Sequence, residues 1–167
     1  MKRSALLLAV LALPGCGLHP LYAGGGNGAV ANALDRVEVS PIQGKAGWLM
    51  ANALRDRLAA GGEGGAARYR LDVKLDDEIT GLGVRPDNSV SRERRSLRAR
   101  FQLVDARSGA VVVDATAGSD AGIDVITSEY ATIAAENSAL ERLAGIVADQ
   151  IVTRLAVYAR RSAAAKP

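Results

Sequence analysis

Tyr69-Arg70-Leu71-Asp72-Val73-Lys74-Leu75-Asp76 is the stretch whose reading decides the fold. Its apolar and charged residues alternate strictly. That period of two belongs to a strand with one face on a core and the other in water. Downstream, Gly81-Leu82-Gly83 through Asp87-Asn88, with Pro86, carries turn residues. A second strand is predicted from Val90 to Val104. Asp105-Ala106-Arg107-Ser108-Gly109 reads as a hairpin connection, and Ala110 to Ala117 as a third strand that Gly118 to Asp124 would extend. Upstream, Arg36-Val37-Glu38-Val39-Ser40 also alternates and ends at Pro41, which cannot donate to a ladder.

Two segments change period. From Gly47 to Ala60, Trp48, Leu49, Ala51, Leu54, Leu58 and Ala59 recur at helical intervals, and Gly61-Gly62 supplies a stop. From Ser128 to Arg160 there is no proline, and Ile133, Leu140, Leu143, Val147, Ile151, Leu155 and Tyr158 share one helical face. Gly145 inside that helix predicts a close approach by a neighbour, since it costs about 1 kcal/mol against alanine. The element order is β-α-β-β-β-α. It predicts an α+β two-layer sandwich, a mostly antiparallel four-stranded sheet with two helices on one face. The other sheet face is left free, and function is expected there.

The chain has 167 residues. Lys2 and Arg3, then the wholly apolar Ala5 to Leu13, have the layout of a signal peptide and are too short to span a bilayer. Leu13-Pro14-Gly15-Cys16 follows in lipobox order, predicting diacylglyceryl transfer to the Cys16 thiol and cleavage after residue 15. Cys16 is the only cysteine. An unpaired thiol is a liability in an oxidising compartment, and acylation removes it. Gly17, rather than aspartate, after the cysteine favours the outer membrane. Gly24-Gly25-Gly26-Asn27-Gly28 reads as a spacer. It lacks the following Lys and Ser/Thr of a phosphate-cradling loop. The predicted organisation is signal peptide 1–15, lipidated cysteine and tether 16–34, one domain over 35–160, and a disordered tail over 161–167.

Charge excludes little by itself. The chain carries 21 basic and 18 acidic residues; cleavage would remove two of the basic ones, leaving near balance, so distribution matters more than the sum. The 49% of apolar residues include few aromatics, which predicts an aliphatic core. In the Val90–Val104 strand, Leu97, Ala99, Phe101 and Leu103 occupy one face. Arg92, Arg94, Arg98 and Arg100, with Ser96 and Gln102, occupy the other. Four arginines on one strand face suit bidentate contact with phosphate or carboxylate groups. The alternative is a solvated face balanced by neighbours such as Asp72, Asp76 and Asp114. At the outer membrane the anion would be a glycolipid. Nucleic acid is excluded by compartment and by the lack of interleaved aromatics, Phe101 pointing to the core side.

Catalysis has little footing. His19, the only histidine, sits in the tether, and no second cysteine exists for metal or nucleophile chemistry. Asp76 and Glu78 lie two apart on a strand, a spacing of roughly 7 Å that resembles an inverting glycosidase pair, but an acidic strand end is the simpler reading. No enzyme activity, metal or dissociable cofactor is predicted, only the covalent lipid.

Three motifs resemble the LptE family of lipopolysaccharide-assembly lipoproteins, in its alphaproteobacterial branch. Cys16-Gly17 with Pro20-Leu21-Tyr22 is similar to the family's tether motif. Leu49 to Leu58, with Asn52-Ala53-Leu54 and Arg57-Leu58, is similar to its first helix. Ser128-Glu129-Tyr130-Ala131-Thr132 leading to Ala135-Glu136 is similar to the start of its last helix. Leu18-His19 and Trp48 depart from the family pattern. The resemblance implies a two-helix, four-strand sandwich on the periplasmic side of the outer membrane. It also implies a partner, the LptD-type β-barrel, which such proteins plug, and contact with lipopolysaccharide. The alternative is a lipoprotein accessory of another lipid transporter, or an envelope scaffold. Arg92, Arg94, Arg98 and Arg100 are the candidate lipopolysaccharide contacts on pattern alone.

Overall fold

The computed structural model describes residues 29–34, 36–58, 66–84, 90–126 and 128–164. The expected signal peptide, Cys16, His19, the glycine-rich spacer, the Gly61-Gly62 stop and Pro86 lie outside them. Seven elements follow in order: α1 (Ala29–Leu34), β1 (Val37–Val39), α2 (Gly44–Leu58), β2 (Tyr69–Val84), β3 (Val90–Asp105), β4 (Val111–Asp124) and α3 (Glu129–Ala164).

The strands lie in sequence order, β1-β2-β3-β4. β2 and β3 pair antiparallel, as do β3 and β4. β1 pairs parallel with β2, Val37 facing Tyr69 and Val39 facing Leu71. The sheet is therefore mixed. The parallel pairing follows from the helix between the strands, because a crossover is what parallel neighbours require. The β3–β4 turn is closed by Asp105, whose Oδ1 accepts from the backbone N–H of Arg107 and of Ser108. Gly109 follows at φ 69°, a conformation only glycine adopts without strain.

The alternation predicted for β2 and β3 is the observed one. Leu71, Leu97, Ala99, Phe101 and Leu103 are buried beneath the helices. From α2 come Met50, Ala51, Leu54 and Leu58, and from α3 Leu140, Leu143, Val147, Ile151 and Leu155. This is an aliphatic core with Phe101 as its largest fully buried side chain. α2 and α3 are tied by Arg57, which donates to Asp149 at 2.6 Å and to the Gly145 carbonyl.

Several local expectations are corrected. Trp48 is 64% exposed, and Met50 takes the core position instead. Ile133 is exposed, and Thr132, one residue earlier, is buried. A β-carbon at Gly145 would meet only the Arg57 Nη2, at 3.6 Å, so no close helix approach depends on that glycine. β2 runs on through Gly81 and Leu82, read as turn residues, because β3 partners Gly81 with Glu93 and Leu82 with Arg92. α1 occupies part of the expected tether, burying Val30 and Leu34. α3 continues to Ala164, past the expected end at Arg160.

Candidate functional site

The sheet face opposite the helices is built from three strands in register. Arg92, Arg94, Arg98 and Arg100 are all exposed there, with Ser96 and Gln102 half-buried between them. Alternation delivers all six to one face, since their odd-numbered neighbours Leu97 to Leu103 are held in the core.

Cross-strand pairing then fixes their neighbours. On the β4 side Arg92 faces Asp124, Arg94 faces Gly122, Ser96 faces Asp120 and Arg98 faces Gly118. On the β2 side Arg94 faces Thr80, Arg98 faces Asp76 and Arg100 faces Lys74. Three of the four arginines find carboxylates. Arg92 pairs with Asp124 at 3.1 Å, Arg98 with Asp120 at 2.9 Å and Arg100 with Asp114 at 3.0 Å. Arg70 similarly pairs with Asp72, which also accepts from the Ser40 hydroxyl. Arg100, with help from Gln102, holds the Asp114 carboxyl below its ordinary range. Ser96 and then Arg98 do the same for Asp120.

The arginine row is thus a lattice of alternating charge rather than a positive patch. Asp120 and Asp124 are the partners that sequence reasoning missed, although the spacing of Asp114, Asp120 and Asp124 along β4 carried the signal. Arg94 differs from the other three. Among the described residues its side chain makes no hydrogen bond or ion pair, although its charge helps to lower the Asp120 carboxyl, and Gly122 leaves open space beside it. Arg98 lies across Gly118, where a β-carbon would come within 2.5 Å of its Cδ. That glycine lets the guanidinium reach the Ser119 carbonyl and Asp120 together.

Beyond the core, the inward positions of the same strands turn polar. Arg95 binds Asp77 at 2.6 Å and donates to the Glu136 carbonyl of α3. Glu93 lies against Glu136, and its buried Oε2 has no hydrogen-bond partner among the described residues. Burial first, and the Glu136 carboxylate second, push the Glu93 carboxyl up. Asp76 and Glu78, the pair weighed for hydrolysis, are both exposed on the outward face. General-acid chemistry relies on a shielded carboxyl, and these positions offer none. No group of three or more His, Cys, Asp or Glu among the described residues could hold a metal ion. No helix among them is long and apolar enough to cross a membrane.

The LptE family, lipopolysaccharide-assembly, matches residues 34–155. The chain belongs to that family. It is a family of non-enzymatic lipoproteins. A solved structure from Caulobacter crescentus CB15, classed as a lipoprotein, is 30% identical, with a TM-score of 0.67 over 84% of this chain and 99% of that one. The rare lipoprotein B of Shewanella oneidensis is 15% identical at a TM-score of 0.58, covering 76% of this chain and 96% of its own. A minor lipoprotein of Acinetobacter baumannii is 15% identical at 0.59, over 72% and 90%. The last two share the fold. No curated protein matches the chain.

Proposed function

We propose that this LptE-family chain is a non-enzymatic subunit of the lipopolysaccharide translocon. In this reading it is anchored in the outer membrane through lipid on Cys16, faces the periplasm and supports or plugs an LptD-type β-barrel. The observation that carries the reading is the family match over residues 34–155, which runs from the last residue of α1 through all four strands and into α3.

The outward sheet face is the proposed contact for lipopolysaccharide phosphates or acidic sugars. Its ion pairs are exposed, and exposed pairs contribute little to stability, so they can be traded for a phosphate at small cost. Arg94 needs no such trade. It stands two residues from both Arg92 and Ser96 on one strand face, with open space at Gly122, and is the first guanidinium an incoming anion would meet. Arg92, Arg98 and Arg100 would follow by exchanging aspartate for phosphate.

A pull-down from native outer membranes in mild detergent tests the assembly. Stoichiometric recovery of an LptD-type barrel is expected; recovery of the lipoprotein alone would turn the reading to an accessory of another lipid transporter or an envelope scaffold. For the face itself, Arg94→Glu with Arg98→Glu should weaken lipopolysaccharide binding with the fold intact. Unchanged binding by that folded double variant would remove the arginine row from the function.

A further inference from the structure

On the helix side of the sheet, away from the arginine face, α1, the start of β2 and the last turns of α3 enclose a cavity of about 320 Å³. That lies within the range of small-molecule sites, about 300–1,000 Å³. Its walls are Leu34, Val37, Leu103 and Leu155, closed by Tyr69 and Tyr158. The two tyrosine rings meet edge to face at 6.2 Å. Leu34, Leu103 and Leu155 are buried, so the interior is apolar.

The rim is not. Arg36 and Arg68 also line the cavity, and both are exposed. Backbone pairing puts them side by side, because the N–H groups of Arg68 and Tyr69 both donate to the Arg36 carbonyl, at 2.9 and 3.0 Å. The Arg68 guanidinium stands 5.1 Å from the centre of the Tyr69 ring. Neither arginine makes an ion pair with a carboxylate among the described residues. This contrasts with the sheet face, where carboxylates partner three arginines of four.

We propose that this cavity binds a single acyl chain bearing an anionic head, the tail among Leu34, Leu103 and Leu155 and the head between Arg36 and Arg68. Charge complementarity selects the head, since two guanidinium groups at an apolar mouth, without an ion-pair partner among the described residues, suit a carboxylate or a phosphate. Cavity size selects one chain rather than several. The site is separate from the arginine face, and its failure would leave the barrel pull-down unaffected.

The test is displacement of cis-parinaric acid fluorescence from the full-length protein held in amphipol, without free detergent. Saturated fatty acids should compete with affinity rising about fourfold per added methylene, then levelling once the cavity is full. Fatty alcohols of equal length should compete at least tenfold more weakly. Lysophosphatidic acid against fatty acid then distinguishes a phosphate from a carboxylate head. Ala163→Trp places a bulky ring at the exposed rim, away from the core, and should cut binding at least tenfold. Arg36→Gln with Arg68→Gln should erase the preference for acid over alcohol while leaving the alcohol's affinity unchanged. Equal competition by acid and alcohol in the unmodified protein would overturn the proposal, as would unchanged binding by Ala163→Trp. Binding seen only after Cys16→Ala would assign the cavity to the protein's own anchor and overturn an exchangeable ligand.

Discussion

Arg95 and Arg98 are three residues apart on one strand, and each holds an aspartate. Arg95 and Asp77 lie on the helix side of the sheet with side-chain exposures of 11% and 22%. Arg98 and Asp120 lie on the solvent side at 51% and 45%. The chemistry is the same and the consequences differ. The inner pair has lost most of its water, so removing one partner strands a charge and also leaves the Glu136 carbonyl without its donor. The outer pair stays hydrated and can be broken or exchanged cheaply. Strand alternation therefore sorts identical residue types into a structural set and an exchangeable one, and the exchangeable set is the one fit to meet a ligand.

The largest effect should come from testing the alternation itself. Phe101→Ala removes the largest fully buried side chain and is expected to cost about 3–5 kcal/mol in denaturant unfolding. Arg100→Ala, its chain neighbour on the other face, should leave the midpoint unmoved. Equal effects at the two positions would break the division between faces. Next comes Arg95→Met, expected to cost about 2 kcal/mol, below the roughly 3–5 kcal/mol of a fully buried pair because some water remains. Adding Asp77→Leu should recover part of that loss; no recovery would mean that the Glu136 carbonyl contact, and not the ion pair, carries the effect.

A third test uses pH and should be smaller. Glu93 has its carboxyl pushed up by burial and by Glu136, so the folded state holds its proton more tightly than the unfolded chain. Stability is then lost as pH rises from the unfolded carboxylate range through the raised folded value. Arg95 also stands at this end of the inner face, bound to Asp77 and close enough to Glu136 to interact with its charge. Glu93→Gln should raise the thermal midpoint at neutral pH. Its advantage should fade as pH falls through the folded value and vanish below the unfolded one. Asp72, Asp114, Asp120 and Asp149 act in the opposite sense. Their partners lower them, so their contribution is present above the unfolded carboxylate range and disappears as pH falls. A Glu93→Gln advantage that persisted in acid would exclude the ionised carboxylate as its source.

The fold was legible where a period was long enough to read. The strict alternation from Tyr69 to Asp76 and from Leu97 to Leu103 placed both strands and both faces correctly, because a slip of one residue would have buried arginines. Trp48 misled because hydrophobicity alone assigned it to the core, whereas Met50, two residues on, has the helical phase that reaches the sheet. Gly81 was read as a turn because nothing local shows that β3 extends to meet it. At the candidate site the arginines were readable from one strand, but their neutralisation was not. Asp120 and Asp124 lie more than 20 residues away, and the register between strands sets Asp124 opposite Arg92 and Asp120 opposite Ser96, diagonal to Arg98. The cavity beside Arg36 and Arg68 escaped for the same reason, being assembled from α1, β1, β2, β3 and α3 at once.

The smallest expected effect belongs to Gly118, and it is the sharpest on the outer face. Gly118 has its own N–H and C=O bonded to the Gln150 side chain, so the backbone there is held from α3 independently of Arg98. Replacing it with alanine relieves the entropic cost of a glycine in a strand, about 0.5–1 kcal/mol. The new β-carbon, however, would sit 2.5 Å from Arg98 Cδ and 3.1 Å from the Leu97 carbonyl oxygen. The arginine must swing off the sheet and release Asp120, while the closeness to Leu97 offsets some of the gain. If the outer lattice is energetically idle, Gly118→Ala leaves the unfolding midpoint close to that of the unmodified chain. Lipopolysaccharide binding should then tighten, because Arg98 joins Arg94 as a guanidinium without an ion-pair partner among the described residues. A clear fall in the midpoint would instead make the Arg98–Asp120 contact part of what holds β3 to β4. The division between a structural inner row and an exchangeable outer row would then fail at that position.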